Sequence, residues 1–150
     1  MLKILSKIKV PDFCMSHWLL RIPLAIIFVQ QGLMKIPVSM EEAASYDLSY
    51  LTWWIVAYGE LLGGIGLIVG GLLVKAIERN TILAYIPVLG DMITRFSGIT
   101  LACIMTGVIW IGEPESLMDV ILYDNLHVLF WVGAVVIALR GNKFSMIFQE

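Results

Sequence analysis

From Leu51 to Val74 the chain runs with a single charged side chain, Glu60. At about 1.5 Å per helical residue this stretch is long enough to cross the ~30 Å hydrocarbon core of a bilayer. A segment buried in lipid must satisfy its backbone hydrogen bonds internally, so it is read as a helix. Three more apolar runs accompany it. The first extends over about residues 17–36, the third over about 95–111, and the fourth over about 120–139. The chain is 150 residues long, 59% apolar and 15% charged, against about 45–50% and about 25% in ordinary soluble domains. The expected architecture is therefore all-α: one domain, residues 1–150, folded as an integral membrane four-helix bundle.

Pro37, Gly112–Pro114 and Gly141–Asn142 mark the ends of runs. Between the second and third runs, residues 76–94 mix charge with apolar side chains, and Pro87, Gly90 and Asp91 interrupt them. This pattern predicts a short helix lying at the membrane interface. The amino-terminal Lys3, Lys7 and Lys9 precede an apolar run, as in a secretory signal. Arg21 interrupts that run, it continues past Val29, and no small-x-small cleavage motif follows, so an uncleaved first span is expected.

Charge orients the chain. With four spans, Lys3, Lys7, Lys9, Lys75, Arg79, Arg95, Arg140 and Lys143 fall on one side. Glu41, Glu42, Asp47, Glu113, Glu115 and Asp119 fall on the other, with Lys35 alone at its edge. The positive-inside tendency places both termini in the cytoplasm. Trp18, Trp53, Trp54, Trp110 and Tyr50 lie near span ends, where interfacial aromatics are expected. A formal net charge of −2 with ten basic residues leaves no cationic surface able to follow a nucleic acid. Cys14 and Cys103 are far apart, and no CxxC, metal-ligand spacing, haem or iron–sulfur motif occurs. No GxSxG accompanies Ser16 and His17, which excludes the usual hydrolase constellation.

Ionisable and polar groups inside spans are costly and point to where function or assembly is located. Gln30, Gln31 and Glu60 lie roughly 20 Å above the cytoplasmic ends of their helices, and Thr106 and His127 lie at a similar level. The depth coincidence predicts one polar cluster drawn from all four helices. A Glu60–His127 pair in it could share a proton, bind the polar head of a ligand, or hold the helices together. Arg21 either snorkels to headgroups or turns inward toward Asp91 or another group at that end. Asp91 and Arg95, four residues apart, are placed for a helical ion pair. Gly59 with Gly63, and Gly66 with Gly70, form small-xxx-small pairs that allow close helix packing, within the chain or with a partner.

Leu20-Arg21, Gln31-Gly32 with Lys35, Gly59-Glu60-Leu61-Leu62-Gly63-Gly64 with Gly70, and Thr94-Arg95 with Met105 occur in this order. The combination resembles the DoxX family of small four-helix membrane proteins of bacteria and archaea, over about residues 17–140. The resemblance implies a multi-pass protein of the prokaryotic inner membrane, often associated with redox systems. Members include a subunit of thiosulfate:quinone oxidoreductase, and relatives accompany quinol oxidases. The family pattern often has His before the first glycine, where this chain has Gln31. Residues 75–94 exceed the family's usual short loop.

Three functions compete. The first is a membrane subunit of a quinone-linked oxidoreductase, not a complete enzyme by itself, with quinone as its cofactor and Glu60, His127 and Gln31 as polar groups of the site. The second is a non-catalytic accessory subunit, in which the polar residues hold a larger assembly together. The third is a small-solute carrier working as an oligomer. Other membrane subunits or further copies of the chain, together with lipids, are the expected partners.

Overall fold

A computed structural model describes residues 16–77 and 86–142. Among them there are six helices and no strand: α1 Ser16–Met34, α2 Met40–Ser45, α3 Tyr50–Ile77, α4 Ile86–Ile111, α5 Leu117–Tyr123 and α6 Asn125–Arg140. Helix α3 packs against α1 and α4, α4 also packs against α6, and a lighter contact joins α6 to α1. Leu24, Ala25 and Phe28 of α1, Leu67 of α3, Leu101, Ile104 and Met105 of α4, and Ala134 and Ile137 of α6 form the core. The outward faces are apolar as well, including Leu19, Ile26, Leu62, Phe96 and Leu129. A protein apolar on both its inner and outer surfaces matches lipid as its solvent.

Glycine governs how closely the helices approach. A Cβ at Gly59, Gly63, Gly66 or Gly70 would meet Ile104, Leu101, Ser97 or Thr94 respectively, all on α4. The small-residue stripe on α3 is therefore occupied within the chain. Gly64 instead faces Ala25 and Val29 of α1, and Gly71 faces Arg21 and Trp18. Rising numbers on one helix meet falling numbers on the next, so α1, α3, α4 and α6 are antiparallel neighbours. This order brings the segments around 35–49 and 112–124 to one end, and residues near 16, 77, 86 and 142 to the other.

Two helices, α3 over Tyr50–Val74 and α4 over Ile86–Ile111, are long and apolar enough to cross a membrane. Apolar helix Trp18–Met34 is shorter. Helices α5 and α6 reach that length only together and are bent by 101° at their junction. The fourth run is thus not one straight helix over 120–139. Asp124 leaves helical geometry (φ −112°, ψ 33°), closes α5 by donating its N–H to the Val120 carbonyl, and accepts the first α6 bond from Val128 at its own carbonyl. Asp124-Asn125 is a helix-starting pair that the apolar count of the run conceals.

The interfacial segment expected over 76–94 also needs correction. Residues 78–85 lie outside the described residues, but 86–94 belong to the continuous α4. Pro87 can interrupt only the turn that precedes it. Gly90 is set by packing, since a Cβ there would lie 2.8 Å from the Gly70 carbonyl oxygen. Lys3, Lys7, Lys9, Cys14, Arg79 and Lys143 lie outside the described residues.

Candidate functional site

The polar side chains expected at one level separate into distinct groups. At the end holding residues 35–49, Lys35 Nζ donates to Glu60 Oε2 at 2.5 Å. The side chain of Glu60 is 3% exposed and that of Lys35 15% exposed. Gly32 makes the pairing possible: a Cβ there would lie 2.6 Å from the Leu61 nitrogen, so α1 and α3 are almost in backbone contact one turn before Lys35. A carboxylate buried this deeply needs a cation or donors beside it, and Lys35 supplies both. Lys35 Nζ also approaches the Gln31 carbonyl oxygen (3.4 Å) and lies 5.6 Å from the centroid of the Trp53 ring. Trp53, in the first turn of α3, is buried, and its indole N–H donates to Glu42 Oε2 at 3.4 Å. Tyr46 stacks on it with centroids 5.1 Å apart.

His127 does not meet Glu60. Its Nδ1 pairs with Asp124 Oδ1 one turn away, at the start of α6. Thr106 donates to the Ala102 carbonyl of its own helix (2.8 Å) and accepts from Trp131 Nε1 (3.0 Å), linking α4 to α6. Gln30 and Gln31 have exposed side chains. Gln30 borders an open groove of about 520 Å³ that is otherwise lined by Ala25, Ile26, Val29, Leu33, Met34 and Ile68. Side chains at one depth on different helix faces need not converge. Glu60, His127 and Gln31, grouped above as polar groups of one site, are not brought together: Glu60 is paired with Lys35, His127 with Asp124, and Gln31 has an exposed side chain. No group of three or more His, Cys, Asp or Glu among the described residues is arranged to hold a metal.

The opposite end holds a second polar assembly. Arg21 is 1% exposed. Its Nη1 donates to the Leu67 carbonyl oxygen (2.9 Å) and approaches Thr94 Oγ1 (3.5 Å), and its Nη2 donates to Asn142 Oδ1 at 2.7 Å. The guanidinium lies 5.3 Å from the Trp18 ring centroid, and Nε is buried without a hydrogen-bond partner. Arg21 therefore turns inward, and Asn142 receives its hydrogen bond. Asp91 and Arg95 form the i, i+4 ion pair at 2.7 Å. Asp91 Oδ1 additionally accepts the Asn142 backbone N–H (2.6 Å). Arg95 donates to the carbonyls of Ala138, Leu139 and Arg140 at 3.2, 2.6 and 3.1 Å, closing the end of α6.

Two participants escaped the sequence reading. Lys35 entered as a lone charge at the edge of the acidic side and as part of the Gly32 motif, not as the partner of Glu60 that it proves to be. Asn142 counted only as a turn residue after Gly141. Gly141 takes φ 59°, and its N–H donates to the Ile137 carbonyl at 2.7 Å, which turns the chain and delivers Asn142 into the cluster.

The comparison with known families falls on this part of the molecule. The DoxX family model matches residues 17–76, covering α1, α2 and α3 with Arg21, Lys35 and Glu60. The match makes this stretch, 60 of the 150 residues, similar to the DoxX family. No curated protein and no solved structure matches the chain. The DoxX match and the two membrane-length helices make this a small multi-pass membrane protein.

Proposed function

We propose that this chain is a non-catalytic accessory subunit of a quinone-linked redox complex in a prokaryotic inner membrane. It crosses the membrane four times, as α1, α3, α4 and the α5–α6 pair, with both termini in the cytoplasm. The carrying observation is that the buried ionisable side chains are bound to one another or to backbone within the chain. Glu60 is held by Lys35, and Arg21 by the Leu67 carbonyl and Asn142. Such pairs fix helix register and leave, among the described residues, no converging donor set for a redox group of the chain's own. Electron transfer and recognition of the quinone headgroup then belong to a partner subunit. The DoxX match supports the redox association through that family's company. The segregation of Arg21, Arg95 and Arg140 from Glu41, Glu42, Asp47, Glu113 and Glu115 supports the orientation.

The reading in which the chain itself contacts quinone rests on one feature, the groove beside Gln30. Native extraction in mild detergent, with mass spectrometry of co-purifying chains, lipids and quinones, separates the two. The accessory reading expects a stable protein partner whose activity survives Glu60→Gln. Stoichiometric quinone on the isolated chain, lost in Gln30→Leu or Glu60→Gln, overturns it.

A further inference from the structure

Three groups that recognise an ammonium ion surround Lys35 Nζ: the Glu60 carboxylate at 2.5 Å, the Gln31 carbonyl at 3.4 Å and the Trp53 ring at 5.6 Å from its centroid. An ammonium carries three N–H donors and no acceptor, and an aromatic face attracts it through the ring quadrupole. Carboxylate, carbonyl and aromatic face together are the set with which proteins take a ligand amine.

The backbone positions of the three groups are set by elements other than the lysine. Glu60 lies inside α3, and Gln31 lies in the last turn of α1. Trp53 is fixed by the Glu42 carboxylate on its N–H and by the stacked Tyr46, both contributed by the segment of α2 and its C-cap. Lys35 is the member outside helical structure. It follows the last residue of α1, its backbone N–H makes only a short-turn bond to the Gly32 carbonyl (3.2 Å), and its ammonium ends a flexible four-carbon stem. The exposed fraction of the ion pair belongs to Lys35, so water reaches the pair from the lysine side.

The surrounding charge favours a cation. Glu41, Glu42, Asp47, Glu113 and Glu115 are exposed at this end, and no Lys or Arg occurs between residues 36 and 74 or between 112 and 139. A surface of one sign raises the local concentration of the opposite ion.

We propose that Glu60, the Gln31 carbonyl and Trp53 form a binding site for a small primary ammonium at the acidic end of the domain. Lys35 occupies the site as a tethered internal ligand, and an external amine enters from the water on that side when Lys35 withdraws. Tethering gives the lysine a high effective concentration, so the wild-type protein keeps the site closed to dilute amines. The site stands on its own geometry, whichever complex the chain serves.

The test is chemical complementation. Lys35→Ala deletes the ammonium and the length of a propyl chain, so n-propylammonium chloride is the probe. Thermal unfolding of purified Lys35→Ala in detergent is followed in n-propylammonium, tetramethylammonium and sodium chlorides at equal ionic strength. The expected result is saturable recovery of most of the lost Tm in n-propylammonium alone, and none in Lys35→Ala/Glu60→Gln. Equal curves in all three salts, or recovery without the Glu60 carboxylate, overturn the proposal. A second measurement covers failure of the alanine variant to survive extraction. Lys35→Met keeps the aliphatic stem; a water-soluble carbodiimide then activates carboxylates as O-acylisoureas, and the free methylamine in equilibrium with methylammonium displaces the urea to leave amides that mass spectrometry locates. Glu60 is expected to label with saturable dependence on methylammonium while exposed Glu41 and Glu115 label in proportion to it. An unlabelled Glu60 beside labelled Glu41 and Glu115 overturns the proposal.

Discussion

Arg21 and Asn142 are 121 residues apart in the chain and 2.7 Å apart between Nη2 and Oδ1. This contact ties the beginning of α1 to the residue that follows the α6 turn, across the end of the α3–α4 pair. Asn142 Nδ2 also donates to the Gly70 carbonyl at 3.3 Å and lies 3.1 Å from Thr94 Oγ1. One amide therefore reaches three helices. A guanidinium with 1% exposure has no alternative partner in water, so its hydrogen bonds set the register of the helices around it.

A double-mutant cycle measures the link. Asn142→Ala leaves Arg21 Nη2 short of an acceptor and is expected to cost about 1–3 kcal/mol, the range for an orphaned buried polar group. Arg21→Met and Asn142→Ala should couple by about 0.5–3 kcal/mol in unfolding measured in detergent. Additive losses would show that the two side chains act separately.

The glycines make a prediction of opposite signs on one helix face and another. A Cβ at Gly70 would lie 2.7 Å from the Gly90 carbonyl oxygen and 2.9 Å from the Thr94 nitrogen, and backbone atoms of a packed helix cannot yield independently. At Gly98 it would lie 2.7 Å from the Ala138 nitrogen. Alanine at either position is expected to cost about 1–3 kcal/mol by forcing helices apart. A Cβ at Gly107 would meet nothing within 4 Å, so Gly107→Ala should be neutral or stabilising by up to about 1 kcal/mol through helix propensity. Thermal unfolding of the three variants checks the ranking, and an equal loss at all three would contradict the packing.

The repeated glycines of α3 were legible as a packing surface because spacing alone places Gly59, Gly63, Gly66 and Gly70 on one stripe. Their partner, α4, was not legible, since a small-residue stripe fits any neighbour. Arg21, Glu60 and Asp91 were legible as costly residues that must be matched. The match for Glu60 was missed because Lys35 lies in the last residues of the first run, where its charge reads as solvent-facing, whereas its ammonium reaches Glu60 on α3. Asp124 shows a different failure. Hydropathy averaged over 120–139 masks the one non-helical residue at the junction where the two helices meet at 101°. Asn142 carried no signal of its own, because its role depends on where Gly141 sends the chain.

Arg95 offers a test of geometry against charge. Its guanidinium holds Asp91 on one side and three consecutive carbonyls at the end of α6 on the other. Lysine keeps the charge but is a compact point donor, not a planar fork. Arg95→Lys is therefore expected to retain the i, i+4 attraction to Asp91 and to lose most of the carbonyl contacts. The last turn of α6 should exchange its amide hydrogens faster, with a stability loss of about 1–2 kcal/mol for the hydrogen bonds removed. Unchanged exchange at residues 137–140 would mean that charge alone holds this end.

The separation of Glu60 from His127 is open to direct energetic measurement. Glu60 bonds to Lys35 on α1, while His127 pairs with Asp124 at the α5–α6 bend. Groups without a shared partner contribute independently, so Glu60→Gln and His127→Leu should add to within about 0.5 kcal/mol. Lys35→Met and Glu60→Gln share one ion pair and should be strongly non-additive, because the first leaves a buried carboxylate without its cation and the second removes that carboxylate's charge. Both cycles can be read from the same unfolding experiment in one detergent. If Glu60 and His127 coupled by more than about 1 kcal/mol while Lys35 and Glu60 did not, the polar groups would form the single midplane cluster suggested by their equal depth. The accessory-subunit reading would then lose its carrying observation.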